Sequence, residues 1–403
     1  MTFKKIIGKL HLWLGLGSGL VVILLGITGC ILAFEIEIRS MTEPFRKVTI
    51  EDKAYLPPTF LKQVAEKQLV SKKAVGVDYP GKGKAAIASY YDETHYELVF
   101  MNPYSGEILK HKNMNNDFFR FILNGHFYLW LPKEIGQPIA ASATLIFLVM
   151  MITGIILWWP KNKAARKQRF SVKWGAKWRR KNYDLHNVLG FYISWEAIFL
   201  AITGLVFGFE WFDKSVYWLS SGGDSMVEHT HPVSDTTQKL SALSMADRLW
   251  QQFQQTTGEK EGLGIYFAST KTDPLEVVVN HRPGTYYKSD FYHYDQYTGK
   301  ELPATGSYAG KFADARIADK IVRMNYDMHV GAVLGLPGKL LAFFASLIAA
   351  SLPVTGFMIW WGRKKKRKLA DREPAANAKE NEEQGNNIKI LVNTSTEHRL
   401  HRQ

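Results

Sequence analysis

Four apolar runs set the limits on what this chain can fold into. They cover residues 6–34, 137–159, 186–209 and 337–361, and each reaches the ~20 residues that a helix needs to cross ~30 Å of hydrocarbon. A backbone N–H or C=O left unpaired in lipid is costly, so runs of this length read as helices. The expected fold class is a membrane α-helical protein with a bundle of four transmembrane helices.

Lysine and arginine orient the spans. Lys161–Lys181 holds ten basic residues and no acidic one, Arg363–Lys368 is wholly basic, and Lys4, Lys5 and Lys9 stand at the start. Basic flanks stay cytoplasmic. Both termini, the loop 160–185 and the tail 362–403, basic and then disordered in character, are therefore expected inside. Residues 35–136 and 210–336 are expected outside. The first of these carries 14 basic and 13 acidic residues, and the second 12 and 16. The net charge of +14 thus belongs to flanks beside anionic lipid, so the partner it implies is the bilayer and not nucleic acid.

Ile27-Thr28-Gly29-Cys30 has the look of a lipoprotein cleavage box. The apolar run continues through Phe34, however, well past a signal core of ~7–15 residues, so the first span is expected to be retained. One cysteine excludes an internal disulfide, a thioether haem attachment and a cysteine-bound cluster.

The chain is written twice. A shift of 175 places His11 on His186, Gly15 on Gly190, Ile27-Thr28-Gly29 on Ile202-Thr203-Gly204 and Phe34-Glu35 on Phe209-Glu210. A shift of 202 or 203 places Arg120 on Arg323, His126 on His329, Thr153-Gly154 on Thr355-Gly356 and Trp158-Trp159 on Trp360-Trp361. Both halves start on the same side, which makes the repeat parallel. The outer segments read as small α+β units. The first has a helix over Pro58–Val70, strands at Ala85–Tyr90 and Tyr96–Met101, and a turn at Asn102–Gly106 before Glu107–Lys110. The second has a helix over Ala242–Thr256 and strands at Leu275–Asn280 and Asp290–Tyr294.

Of twelve histidines, His11, His126, His186 and His329 alone stand at span ends in repeat-related pairs. A single interfacial histidine reads as a polar anchor, but two duplicated pairs point to ligation. His11 is followed by Gly15 and Gly19, and His186 by Gly190 and Ser194. Positions i+4 and i+8 share the histidine's face, leaving a smooth stripe for a flat macrocycle or for close helix packing. Two histidines on one iron fill both axial sites and suit one-electron transfer. Arg120 and Arg323 each stand six residues before a histidine and are candidate propionate partners, with lipid phosphate or a carboxylate as the alternative.

These residues resemble the PepSY-associated transmembrane family. The resemblance lies in Leu10–Gly15, Leu185–Gly190, Gly335–Leu341 and the Thr-Gly…Trp-Trp ends of the second and fourth spans. It implies a four-helix bundle of two parallel repeats with two α+β, PepSY-like domains outside the bacterial cytoplasmic membrane. It also implies that His11, His126, His186 and His329 ligate two non-covalent, bis-histidine haem b groups, as in siderophore-iron reductases. One departure is Gly125-His126-Phe127, where the family usually has Leu-His-Arg. The activity expected is electron transfer to a ferric siderophore outside. Because no nucleotide-binding motif is present, the electron donor must be separate, cytoplasmic or within the membrane. A quinone-linked cytochrome and a non-haem PepSY regulatory module are the alternatives. An intact-siderophore transporter fits less well, since Glu196 is the only acidic residue deep in a span. The aromatic run from Tyr286 to Tyr297 reads as strand core or an aromatic groove, and Glu228-His229-Thr-His231 as a loop or an iron site.

Overall fold

A computed structural model describes residues 2–69, 72–160, 166, 169–230, 232–237 and 242–364. Most of the basic run after 160, His231 and the tail beyond 364 lie outside the described residues. In chain order the helices are α1 (Phe3–Ala33), α2 (Glu35–Thr42), α3 (Pro58–Leu69), α4 (Phe118–Tyr128), α5 (Lys133–Trp158), α6 (Trp178–Gly208), α7 (Glu210–Ser221), α8 (Ala242–Thr256), α9 (Ile317–His329) and α10 (Leu336–Lys364). The strands are β1 (Gly76–Tyr79), β2 (Ala86–Tyr91), β3 (Tyr96–Met101), β4 (Ile108–Asn113), β5 (Gly262–Tyr266), β6 (Leu275–Asn280), β7 (Ser289–Tyr294) and β8 (Glu301–Leu302).

The four spans are α1, α5, α6 and α10, each long and apolar enough to cross a membrane. They start earlier than hydropathy indicates. His186 sits more than two turns inside α6, because the polar stretch Trp178–Asp184 continues the helix. α5 packs against both α1 and α6. α10 closes the ring: a Cβ on Gly26 of α1 would stand 2.7 Å from the Ser346 carbonyl, and the Asn182 side chain of α6 donates to the Thr355 carbonyl at 3.0 Å. Most exposed tryptophans stand near the ends of the bundle, Trp130, Trp211 and Trp218 at one and Trp159, Trp174, Trp178 and Trp361 at the other, while Trp13 and Trp195 are exposed within spans. Such rings mark the two water–lipid boundaries.

All eight strands form one antiparallel sheet in the order β4-β3-β2-β1-β5-β6-β7-β8. The two α+β units expected from sequence therefore contribute four strands each to a shared sheet, joined where β1 pairs with β5 from Gly76↔Tyr266 to Tyr79↔Leu263. α3 and α8 lie together on one face, packing Leu61 and Leu249 over Val77, Val99, Ile265 and Val277. The joining strands escape the sequence pattern because they are short and glycine-bearing. Gly76 is glycine for room: a Cβ there would fall 2.4 Å from the Tyr266 ring. Of the aromatic run, Tyr294 and Tyr292 of β7 pack on the core, Tyr287 is buried before the strand, Phe291 and Tyr297 are half-buried and Tyr286 is exposed.

One ion-paired histidine ties the second half of the sheet. His281 bonds Glu261 through Nδ1 at 2.8 Å and Asp290 through Nε2 at 2.9 Å. Burial alone would lower its pKa, but the hydrogen bonds to Asp290 and Glu261 outweigh burial and raise it above the ordinary imidazole value. A raised folded pKa gives stability that is complete below the unfolded value of ~6.5 and fades as pH rises through the folded one. Thermal unfolding in detergent should show a midpoint falling across that window. The His281→Gln variant should flatten this dependence; an unchanged slope would mean the pair contributes nothing.

Candidate functional site

The four duplicated histidines line two cavities inside the bundle. On the side away from the sheet, His11 of α1 and His186 of α6 face a cavity of 420 Å³ walled by six glycines, among them Gly15, Gly154, Gly190 and Gly356. On the sheet side, His126 and His329 face one of 220 Å³, with Gly26, Gly29, Gly204 and Gly208 in its wall. Each cavity takes one histidine from each half of the chain. The His126 and His329 ring centres are 6.1 Å apart. Two imidazoles sharing an ion at ~2.0 Å from each nitrogen would stand roughly that far apart.

The side chains that aim these rings were not singled out by the sequence reading. His11 Nδ1 meets Thr153 Oγ1 at 2.9 Å, His126 meets Thr28 at 2.9 Å, His186 meets Thr355 at 2.9 Å and His329 meets Thr203 at 2.8 Å. Every one of these threonines precedes a glycine, and that glycine leaves space for the same ring. A Cβ on Gly29, Gly154, Gly204 or Gly356 would stand 3.3–3.5 Å from the histidine Cε1. Thr-Gly repeats were visible in the sequence, but their partners were not.

Proton accounting sets the tautomer. Each threonine hydroxyl also reaches a carbonyl of its own helix, Leu24 for Thr28, Met150 for Thr153, Phe199 for Thr203 and Ser351 for Thr355, at 2.7–3.1 Å. A hydroxyl has one proton and a carbonyl only accepts, so the proton goes to the carbonyl and the hydroxyl oxygen accepts Nδ1–H. With Nδ1 protonated, Nε2 of the neutral ring keeps its lone pair. Second-sphere bonding of this kind prepares a histidine to ligate.

Two helices outside the spans position the sheet-side pair. α4, carrying His126, is capped by Asp117, which accepts Arg120 N at 3.1 Å. Asp117 is itself gripped by Arg39 of α2 and by Lys112. Burial would raise its pKa, but these two cations hold it below the ordinary carboxylate range. α9, carrying His329, is tied by Asp319, which accepts from Tyr217 of α7 at 3.0 Å and from Ser307 at 2.9 Å.

The two arginines chosen from spacing do not reach the cavities. Arg323 is buried, its guanidinium donating to the carbonyls of Ser289, Ser307, Ala309 and Gly310. Arg120 lies over the Tyr96 ring at 5.5 Å. The arginines that line a cavity are Arg169 and Arg363, on the side away from the sheet, whereas Glu35 is the charged residue of the sheet-side wall. Among the described residues no three of His, Cys, Asp and Glu gather beside either pair. A bare ion usually takes three or four protein ligands, and each pair offers two.

Removing one aiming hydroxyl tests the tautomer argument. Thr203→Val should leave the His329 Nδ1–H without its hydroxyl acceptor and destabilise the protein by about 1–3 kcal/mol. Thr203→Ser keeps the oxygen and should lose much less. Equal losses in denaturant titrations would assign the effect to packing.

The family model described as PepSY-associated TM region matches residues 9–363. No curated protein matches the chain. That match spans all four membrane helices and the whole sheet, and the chain therefore belongs to the PepSY-associated TM region family.

Proposed function

We propose that this protein is a transmembrane electron carrier that holds two non-covalent haem b groups and reduces ferric siderophore outside the cytoplasmic membrane. The observation that carries the reading is the pair of cavities, each with two half-buried histidines whose Nδ1 is tied to a threonine and whose second nitrogen is left for a ligand. His11 and His186 would hold one haem, and His126 and His329 the other. Haem held by two histidines would supply one-electron redox chemistry.

The chain's own residues do the rest. Glycine walls give a planar group room between helices. Val22 and Phe147 line both cavities and form an apolar partition between them, which excludes water and keeps the two sites close. Arg169 and Arg363 take the role of anion partners that spacing had given to Arg120 and Arg323, since a guanidinium fork pairs well with carboxylates. The bundle is read as a parallel duplication with its PepSY-like units fused in one sheet. Histidines, Thr-Gly pairs and four-strand sets recur in order in both halves.

In this reading the termini and the loop 160–185 face the cytoplasm and the donor, and the sheet faces the acceptor. Ferric iron is a hard ion suited to oxygen chelators, and reduction to Fe(II) weakens that match. A reductase thus frees iron without destroying the chelator. Reporter fusions after Lys163 and after Asn280 should lie on opposite sides of the membrane, and finding them on one side would remove the four-span arrangement.

Haem content is read directly. A pyridine haemochrome assay of purified protein should approach two per chain, and His186→Ala or His329→Ala should each remove one. A colourless folded protein sinks the proposal. For the activity, dithionite-reduced protein mixed in stopped flow with several ferric siderophores should be reoxidised by at least one, with Fe(II) captured by a trap, and His329→Ala should lose this. Reoxidation by a quinone alone would make it a quinone-linked cytochrome instead.

A further inference from the structure

The sheet unit holds a third cavity that shares no residue with the histidine sites. It measures 440 Å³ and lies at the end of the β1–β5 seam where Tyr79 pairs with Leu263. Its wall is aromatic. Tyr55 stacks on Tyr79 at 5.9 Å and meets Tyr104 edge-on at 5.0 Å, and Tyr79 lies 5.5 Å from Trp250. Its rim is acidic, with Glu51, Asp52, Glu259 and Glu261 against Lys53 and Lys82. Lys53 pairs with Glu51 and Lys82 with Glu259, both at 2.7 Å. Glu261 accepts from Gly258 N and bonds His281. Asp52 has no ion pair among the described residues. Thr257 Oγ1, also in the lining, is a buried oxygen with no hydrogen-bond partner there.

The rim is a built contact between the two halves. Lys82 N donates to the Glu259 carbonyl at 2.8 Å. Gly81 has φ +112°, and a Cβ on it would stand 3.1 Å from the Lys260 carbonyl, so only glycine allows this approach without strain.

The other end of the same seam shows what such an environment holds. There Lys62 of α3 places its ammonium 4.7 Å from the Phe267 ring centre, 2.7 Å from Glu66 and 2.5 Å from the Ala74 carbonyl. At that end the chain supplies its own cation over an aromatic face. At the Tyr79 end it supplies rings and carboxylates, while both lysines stay with rim acids. Burial above all, then the neighbouring Tyr104 hydroxyl and the charge of Glu259, push the Tyr55 phenol up to about 12, so the ring stays neutral beside a bound cation.

We propose that this cavity binds a small organic ammonium ion, held by the carboxylates of Asp52 and Glu259 and the rings of Tyr55, Tyr104 and Trp250. Aromatic faces beside carboxylates favour a cation, and an organic one fills apolar volume that a hydrated metal ion cannot. With Glu51, Glu259 and Glu261 paired to Lys53, Lys82 and His281, the Asp52 carboxylate is left in excess, which disfavours an anion.

Ligand-observed fluorine NMR on the full-length protein in detergent tests this, with 4-fluorobenzylammonium, 4-fluorobenzyl alcohol and 4-fluorobenzoate as probes. The ammonium should bind saturably and the other two should not. The Asp52→Asn, Glu259→Gln double variant and Tyr55→Leu should each weaken it by roughly tenfold or more. Glu66→Gln, at the far end of the seam, should leave it unchanged. Equal binding of the alcohol or the benzoate, no saturable binding of any probe, or an unaltered affinity in the double variant overturns the proposal. None of these readouts depends on haem, so the outcome stands apart from the electron-transfer reading.

Discussion

Inside a bilayer an imidazole has no water to bond with, and the arrangement of this bundle follows from that constraint. A ring nitrogen left unpaired there carries a desolvation cost. Each of the four histidines meets it by giving Nδ1–H to a threonine on a neighbouring span, while the threonine gives its proton back to its own helix. The result is a ring fixed in position and tautomer by two helices at once. One nitrogen satisfies the fold, and the ring it anchors lines a cavity.

The same bonds bind helices together. His11–Thr153 and His126–Thr28 both link the first span with the segment around the second, and His186–Thr355 and His329–Thr203 do the same for the third and fourth. Small residues beside each threonine allow the approach, and van der Waals contact then holds helices that lipid gives no hydrophobic reason to associate. A polar pair and a glycine at adjacent positions thus serve assembly and site together. Neither role can be assigned to the threonine or the glycine alone.

Much of this is legible in the sequence. Run length gives the four spans, because the thickness of hydrocarbon is fixed, and duplication isolates four histidines from twelve. The helix and strand periods of Pro58–Leu69, Tyr96–Met101 and Leu275–Asn280 emerge close to their observed limits. What stayed hidden depends on contacts between distant segments. β1 and β5 hold glycines that weaken any strand signal, and only their mutual pairing makes them the centre of the sheet. Arg120 and Arg323 share a spacing with the histidines, but spacing does not say where a guanidinium points, and backbone carbonyls claim Arg323. The threonines were visible as a motif, yet the pairing of Thr28 with His126 spans 98 residues.

The joined sheet explains why the chain needs both halves in one molecule. Each cavity takes one histidine from either half, so a single half offers only one ring to each site. The halves must be docked, and in register, before any two-histidine site exists. Contacts on both levels do this: β1 on β5 and Asp247 on Thr59 in the sheet unit, and Lys339 of α10 on Glu37 of α2 and Cys30 of α1 on the Phe343 carbonyl of α10 in the bundle. Apolar packing between spans fixes register only loosely, because small residues such as Gly26 and Ala350 present smooth sides to one another. Strand pairing is less forgiving, since a slip of one residue turns every side chain to the other face. With Val77, Tyr79, Leu263 and Ile265 all in the shared core, that slip would expose the apolar face. The register of four residue pairs outside the membrane therefore constrains the facing of histidines within it.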